Sequence, residues 1–127
     1  MGKIIIRDSD SVEPTIFKTR MSRRVISPER DNSTKMSLHK IHRWPGILSN
    51  PTKYTDNDEI LYILEGEGYI FEGDEKHQLK PGYAVLIPAN TTYQIFNSTD
   101  LKLLAILSPP RYREEWAQRP DLVKLES

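Results

Sequence analysis

The sequence predicts an all-β protein, a sandwich or barrel of short strands that ends in a short helical or irregular C-terminal segment. Runs of β-favouring residues recur at steps of roughly 8–12 residues with turn residues between them, which is the spacing of such folds. No stretch before about residue 110 keeps apolar residues at the i, i+3, i+4, i+7 spacing of an amphipathic helix for three turns. Both observations favour strands over helices.

The 127 residues are enough for one compact domain. We expect a core over about 22–110, an N-terminal strand arm over 1–21 and a C-terminal tail over 111–127. Ten strands are predicted, in chain order: Lys3–Arg7, Thr15–Lys18, Arg23–Ser27, Met36–Arg43, Glu59–Glu65, Gly68–Glu72, Glu75–Leu79, Tyr83–Ile87, Tyr93–Asn97 and Leu101–Leu107.

Turn residues separate these strands in the places that hairpins require. Gly66 and Gly73 lie where hairpin turns need a positive φ. The Pro81-Gly82 pair is typical of a type II turn. After the last strand, Pro109 and Pro110 stop the β structure, and Arg111–Gln118 is predicted to form two helical turns.

The composition excludes several classes of function. Eighteen Lys+Arg balance eighteen Asp+Glu, so no surplus of positive charge favours a nucleic-acid or anionic-membrane partner. The absence of cysteine excludes disulfides and thiolate metal sites. No apolar run is long enough to span a bilayer, and the N-terminus lacks a signal-peptide pattern. We expect a cytoplasmic protein whose partner is a small molecule.

Two segments carry motifs of a known family. Gly46, Glu59 and Gly66 match the first motif, in which two histidines stand at the positions of Thr52 and Tyr54 here. In the second motif Gly82, Pro88 and Asn97 match, whereas Asn90 replaces a glycine and Tyr93 replaces a histidine. In these segments the chain resembles the cupin family. The resemblance implies a double-stranded β-helix, which is a jelly-roll barrel.

The resemblance also bears on metal binding. In metal-binding cupins the Glu and the three histidines of the two motifs hold one divalent ion, and this chain keeps only Glu59 of those four. A threonine hydroxyl is a poor ligand, and tyrosine binds metals well only as phenolate. We therefore predict no metal and no cofactor. A rearranged ligand set, in which His39 or His42 joins Asp56 and Glu59, remains open.

Glu59, Tyr54 and Tyr93 are the candidate catalytic residues. If Glu59 points into the barrel as the matched Glu does, Leu61 and Ile63 also point inward. A desolvated carboxylate is a suitable base near neutral pH, and a phenol donates a hydrogen bond to a developing enolate. This pair predicts proton abstraction next to a carbonyl, as in an isomerase, epimerase, lyase, dehydratase or cyclase. The alternative is that the tyrosines only fill the vacated metal site.

The substrate-binding candidates lie on two predicted strands and in the loop before Glu59. Arg23 and Arg24 face opposite sides of a strand, so one of them can enter the cavity and bind a carboxylate or a phosphate. The alternative is an exposed arginine on the strand surface. On the strand from Met36, the inward residues are Lys40 and His42 if the even positions face the barrel, and His39 and Arg43 if the odd positions do. The predicted substrate-binding set is Arg23, His39, Lys40, His42 and Thr52.

The outward residues of the strand over Glu59–Glu65 predict a partner. Ile60, Tyr62 and Leu64 make this strand apolar on both faces, which is typical of a covered strand. A homodimer fits this pattern, and it also fits the resemblance. Two further functions stay open: a cupin that binds a sugar or an organic acid without catalysis, and a metal-dependent cupin enzyme with a rearranged ligand set that includes Glu59.

Overall fold

The computed structural model describes residues 2–127. This part of the chain forms two antiparallel sheets and two short α-helices. The strands are β1 (Thr15–Phe17), β2 (Arg20–Ile26), β3 (Ser37–Arg43), β4 (Asp58–Glu65), β5 (Gly68–Glu72), β6 (Glu75–Leu79), β7 (Ala84–Ile87), β8 (Gln94–Asn97), β9 (Leu101–Ser108) and β10 (Leu122–Lys124). The helices are α1 (Pro28–Asp31) and α2 (Arg113–Ala117). Neither is long enough to cross a membrane.

The larger sheet has the strand order β10-β1-β2-β3-β9-β4-β7, and the smaller one has the order β6-β5-β8. A buried apolar cluster lies between them and draws residues from both. Its members are Ile41, Leu61, Ile63, Ile70, Leu79, Ile87, Tyr93, Ile95, Leu101, Leu103 and Ala105. The fold is therefore the predicted all-β jelly roll, and burial of the inner faces of both sheets stabilises it.

Side chains alternate strictly between the inside and the outside along β4. Glu59, Leu61 and Ile63 are buried, whereas Ile60 and Tyr62 are exposed, as predicted. The structure also determines which face of β3 points inward. Its odd-numbered residues are buried because β3 pairs with β9 in a register that places His39 opposite the buried Ala105.

The N-terminal strand prediction is wrong. Residues 3–7 form no strand in the described chain, and the side chains of Ile4 and Ile6 are each 92% exposed. The β propensity of this run is not realised because the segment joins neither sheet; strands need a pairing partner. Instead, Arg7 holds the segment by donating to Asp31 Oδ2 at 2.8 Å and to the Val25 carbonyl at 2.8 Å.

The C-terminal segment is more structured than expected. The predicted helix is present as α2, and Trp116 on it is buried against Phe17 and His39, with ring centroids 5.4 and 5.1 Å apart. The chain then returns as β10, which pairs with β1. Sequence analysis did not predict β10. The tail over 111–127 thus contributes both a sheet edge and a covering helix.

The outer face of β4, β7 and β9 remains apolar and open. Its exposed apolar side chains are Ile60, Tyr62, Leu64, Leu86 and Ile106. The first three were expected to be covered by a second subunit, and in the single chain they are exposed. The homodimer stays a prediction.

Gly66 allows a test of the barrel geometry. Its φ is +87°, and a Cβ built on it would lie 2.0 Å from the carbonyl oxygen of Asp100. Gly73 has a φ of +56°, but no atom lies within 4 Å of such a Cβ. We expect Gly73→Ala to cost about 1 kcal/mol of the unfolding free energy through backbone strain alone. Gly66→Ala should cost at least about 2 kcal/mol more, because the backbone must also move.

Urea denaturation of the two variants and the wild type measures both costs. Equal losses of stability would contradict the close approach of Gly66 to Asp100.

Candidate active site

The centre of the candidate site is the buried carboxyl group of Glu59, which is 4% exposed. β4 positions it between β7 and β9, where Glu59 lies opposite Ile87 and Leu107. The phenol of Tyr93 donates a hydrogen bond to Glu59 Oε1 at 2.6 Å. Tyr93 is itself fixed because its backbone pairs with that of Thr52 through two hydrogen bonds of 2.9 Å. Local strand pairing therefore places the acid and the phenol together.

Glu59 and Tyr93 border an enclosed cavity of about 30 Å³. Its polar lining consists of Arg20, His39, Arg43, Tyr54, Glu59 and Tyr93. Its apolar lining comes mainly from β9, with one residue each from β3, β4, β8 and α2. A space of this size holds about two water molecules. The three predicted catalytic residues therefore surround one cavity, whereas their catalytic roles stay predictions.

Burial controls the protonation of these groups. Desolvation raises the pKa of Glu59 to about 7, although the Tyr93 hydrogen bond and the charge of Arg20 act in the opposite direction. Burial also raises the pKa of Tyr54, and that of Tyr93 well above its ordinary value, and the nearby Glu59 adds to both shifts. Near pH 7 both phenols are thus neutral donors, and Glu59 exchanges its proton readily.

His39 lies fully buried on the wall of the same cavity. Burial, together with the charges of Arg24 and Arg20, lowers its pKa to about 3. The ring is therefore neutral at physiological pH. Its Nε2 is 3.0 Å from Ser37 Oγ, and its Nδ1 has no hydrogen-bond partner among residues 2–127.

Two arginines that were not in the predicted substrate-binding set lie in the cavity wall. Arg20 and Arg43 are each 6% exposed. Arg20 lies 3.4 Å from Asp121 Oδ2, donates to Thr19 Oγ1 at 3.2 Å, and stacks over the ring of Phe17. Arg43 was predicted to point inward only for one of the two open orientations of its strand. Arg20 was missed because the third predicted strand was taken to begin at Arg23. The alternation of Arg20, Ser22 and Arg24 was the available signal.

Three predicted substrate-binding residues lie outside the cavity, whereas they were expected to point into the barrel. Arg23, Lys40 and His42 face outward because β2 and β3 point Arg24, His39 and Arg43 inward. Their side chains contact the Val12 carbonyl, Asp10 and Asp100, respectively, and their role in substrate binding stays a prediction.

Tyr54 lines both the cavity and the protein surface beside it, and we name this boundary the entrance. This residue also lines an open surface pocket of about 290 Å³, together with Lys53, Arg111 and Arg119. The guanidinium of Arg111 lies 4.5 Å from the centroid of the Tyr54 ring. Thr52, the remaining predicted binding residue, lies at this entrance, where its hydroxyl donates to the Asn50 carbonyl at 3.1 Å.

The residues at the family's metal positions do not suit a divalent ion. Glu59 is the one carboxylate among them. Tyr93 is a neutral phenol that donates a hydrogen bond to Glu59, so it does not offer an anionic oxygen to a metal. The positive charges of Arg20 and Arg43 on the same cavity wall oppose a cation further.

The rearranged ligand set also fails to form. Within residues 2–127, neither histidine of β3 is brought together with Asp56 and Glu59. A group of three side chains within mutual ligating distance, Glu72, Glu75 and His77, lies on the exposed β5–β6 hairpin, away from the cavity.

Comparison with known proteins agrees with this architecture. The chain is 32% identical over 116 residues to the uncharacterized protein MJ1618 of Methanocaldococcus jannaschii, covering 89% of this chain and 93% of that protein. It is 30% identical over 114 residues to the L-ectoine synthase of Saccharopolyspora erythraea, covering 84% and 82% of the two chains. The crystal structure of ectoine synthase from P. lautus superposes with a TM-score of 0.84 at 20% identity, covering 98% of this chain and 91% of that one.

A family match completes the comparison. Residues 40–107, which run from β3 to β9 and include Glu59 and Tyr93, match the family described as the cupin domain. The chain therefore belongs to the cupin family, as this match shows together with the motif positions and the jelly-roll fold.

Proposed function

We propose that this protein is a metal-independent cupin enzyme that abstracts a proton next to a carbonyl of a small polar molecule bound in the barrel. Glu59 is the base, and Tyr54 donates a hydrogen bond to the oxygen on which negative charge develops. The single proton of Tyr93 is directed at Glu59 before the transfer, and once Glu59 is protonated Tyr93 turns it to the same substrate oxygen. The observation that carries the proposal is the buried Glu59 carboxyl, hydrogen-bonded at 2.6 Å to the phenol of Tyr93. The reaction class covers isomerisation, epimerisation, elimination, dehydration and cyclisation, all of which begin with this step.

The electrostatics of the cavity favour this chemistry. A base works best when its pKa is close to the pH at which it operates, and Glu59, with a pKa of about 7, meets that condition. When it takes the proton, it becomes neutral, and the negative charge moves to the substrate oxygen. Neutral phenols and the guanidinium of Arg20 then stabilise that charge in a site from which water is largely excluded.

The similarity to L-ectoine synthase supports an enzyme that acts on a small molecule. The alternative is a protein that binds a small sugar or an organic acid without catalysis. Tyr54 forms the wall between this cavity and the surface pocket, so a substrate has to displace its ring to enter.

Hydrogen exchange tests the proposed base directly. We expect the wild-type protein in D₂O to exchange the hydrogens next to the carbonyl of at least one member of a panel of small ketones, oxo acids and sugars. Glu59→Gln should slow this exchange at least about a hundredfold, since the base is lost but the hydrogen bond from Tyr93 can be retained. Proton NMR measures the loss of the substrate C–H signal.

Two controls make this test decisive. Glu67→Gln, at an exposed position on the β4–β5 turn, should exchange at the wild-type rate. Treatment with EDTA should leave the rate unchanged; a rate that falls with EDTA and returns with a transition metal would contradict metal independence. Binding of a panel member without exchange would identify a binding protein instead.

The pH dependence of exchange tests the role of Tyr93. The hydrogen bond from Tyr93 lowers the pKa of Glu59, so its removal in Tyr93→Phe should raise that pKa above 7. The rate rises with pH as Glu59 ionises, and we expect its midpoint to move to higher pH in the variant. The loss of rate relative to the wild type should therefore be larger at pH 6 than at pH 9. Tyr62→Phe, at an exposed tyrosine of β4, should leave the midpoint unchanged.

Protein stability tests the buried state of Glu59 without any substrate. The folded-state pKa is raised from 4.5 to about 7, so the folded protein binds the proton more tightly than the unfolded chain does. Stability from this group is therefore present below pH 4.5 and is lost as the pH rises through 7. Relative to the wild type, Glu59→Gln should gain about 2 to 3 kcal/mol of unfolding free energy between pH 5 and pH 8.

Denaturation with urea at the two pH values measures this gain. His39 and the other titrating groups are common to both proteins and cancel in the difference. No gain in Glu59→Gln would show that Glu59 titrates as an exposed carboxyl does. The same gain in Glu67→Gln would show that the gain does not report the burial of Glu59.

A further inference from the structure

Arg43 is a buried cation whose hydrogen-bonding groups are not satisfied. Its side chain is 6% exposed, and neither Nε nor Nη2 has a hydrogen-bond partner within residues 2–127. The other buried arginines of the same sheet are ion-paired, Arg20 to Asp121 at 3.4 Å and Arg24 to Glu126 at 2.9 Å. Arg43 therefore differs from its neighbours in having no carboxylate of its own.

Such an arrangement costs free energy in the unliganded protein. Buried charges in folded proteins are normally paired, and an unpaired donor loses its hydrogen bonds to water without compensation. Burial, together with the nearby charge of Arg20, lowers the pKa of Arg43 to about 10, and the group still carries its charge at neutral pH. A bound anion would supply the missing partner.

The two free nitrogens specify the shape of that anion. Nε and Nη2 lie on one edge of the guanidinium plane, where their N–H bonds run parallel and match the two oxygens of a carboxylate. Arg43 borders the cavity of Glu59 and also a second cavity of about 30 Å³, lined in part by Ser49, Thr52 and Asp121. An anion on this edge lies in the same enclosed region as the base.

The charges along the entrance agree with an anionic ligand. The walls of the two cavities and of the surface pocket carry five cationic side chains, against three carboxylates. The cations are Arg20, Arg43, Lys53, Arg111 and Arg119, and the carboxylates are Glu59, Glu115 and Asp121. The whole chain has a net charge of zero, so positive charge is concentrated here. Because Asp121 already pairs with Arg20, one free guanidinium suits a monoanion better than a phosphate dianion.

We propose that the ligand of this cavity is a small carboxylate, and that Arg43 binds its two oxygens through the Nε–Nη2 edge. The inference rests on the proposed function in that it concerns the same cavity, and it narrows the substrate to a class. That class is the small oxo acids and related carboxylates that have a hydrogen next to a carbonyl.

Binding measurements on the full chain test the proposal. We expect isothermal titration calorimetry to detect binding of at least one of acetate, pyruvate and 2-oxoglutarate, and the same ligand to raise the melting temperature. The neutral analogue pyruvamide should bind at least about tenfold more weakly than pyruvate, because it loses the charge and one acceptor oxygen. Failure of all three carboxylates to bind would overturn the proposal, as would equal binding of the amide or tighter binding of inorganic phosphate.

Substitutions locate the binding group. Arg43→Gln and Arg43→Lys should each weaken carboxylate binding at least about tenfold, since neither retains the two-donor edge. Arg30→Gln removes the same charge at an exposed position and should bind as the wild type does. Without ligand, Arg43→Gln should melt no lower than the wild type, since it removes an unpaired buried charge. Wild-type affinity in both Arg43 variants would overturn the assignment.

The same measurements separate this proposal from the proposed function. Glu59→Gln should still bind the carboxylate, because Arg43 is intact. Binding that depends on Arg43 but occurs without hydrogen exchange in the wild type would support the anion site and contradict the catalytic role of Glu59. Exchange that depends on Glu59 but is unaffected in both Arg43 variants would do the reverse.

Discussion

The alternation of side chains along β3, β4 and β9 is the constraint on which both the core and the site depend. These three strands lie side by side in the larger sheet, so their inward residues form one continuous surface. Over most of its length that surface is apolar, with Leu61, Ile63 and Leu103 nearly inaccessible to solvent. The same alternation turns Glu59, His39 and Arg43 inward. A core that holds its register therefore also holds these polar groups in place.

The buried polar residues around the cavity are stable because carboxylates of the C-terminal tail form ion pairs with two of the buried arginines. Asp121 pairs with Arg20, Glu126 pairs with Arg24, and Trp116 packs against the neutral ring of His39. Trp116 also lines the cavity, and burial of Glu59 raises its pKa. Within residues 2–127, Arg43 is left without such a partner, which is the physical basis for expecting a ligand there.

The substitution of tyrosine for histidine at position 93 changes what the site can do. An imidazole nitrogen offers a lone pair to a metal, whereas the neutral phenol of Tyr93 donates a hydrogen bond to Glu59. The hydrogen bond occupies the one carboxylate that remains from the family's ligand set. Fold and function are separable in this way: the jelly roll of the cupin family is preserved, and the chemistry depends on which side chains project into it.

Sequence alone determined the strands from β1 to β9, the inward position of Glu59 and its proximity to Tyr54 and Tyr93, because a period of two and motif spacing are local properties. It did not determine the inward face of β3, since both faces carry polar residues and only the pairing of His39 with Ala105 decides between them. The N-terminal run illustrates the same limit, because β propensity does not supply a pairing strand. The place of Arg20 beside Asp121, a hundred and one residues later in the chain, depended on the tertiary structure for the same reason: contacts between distant segments leave no periodic signal in the sequence.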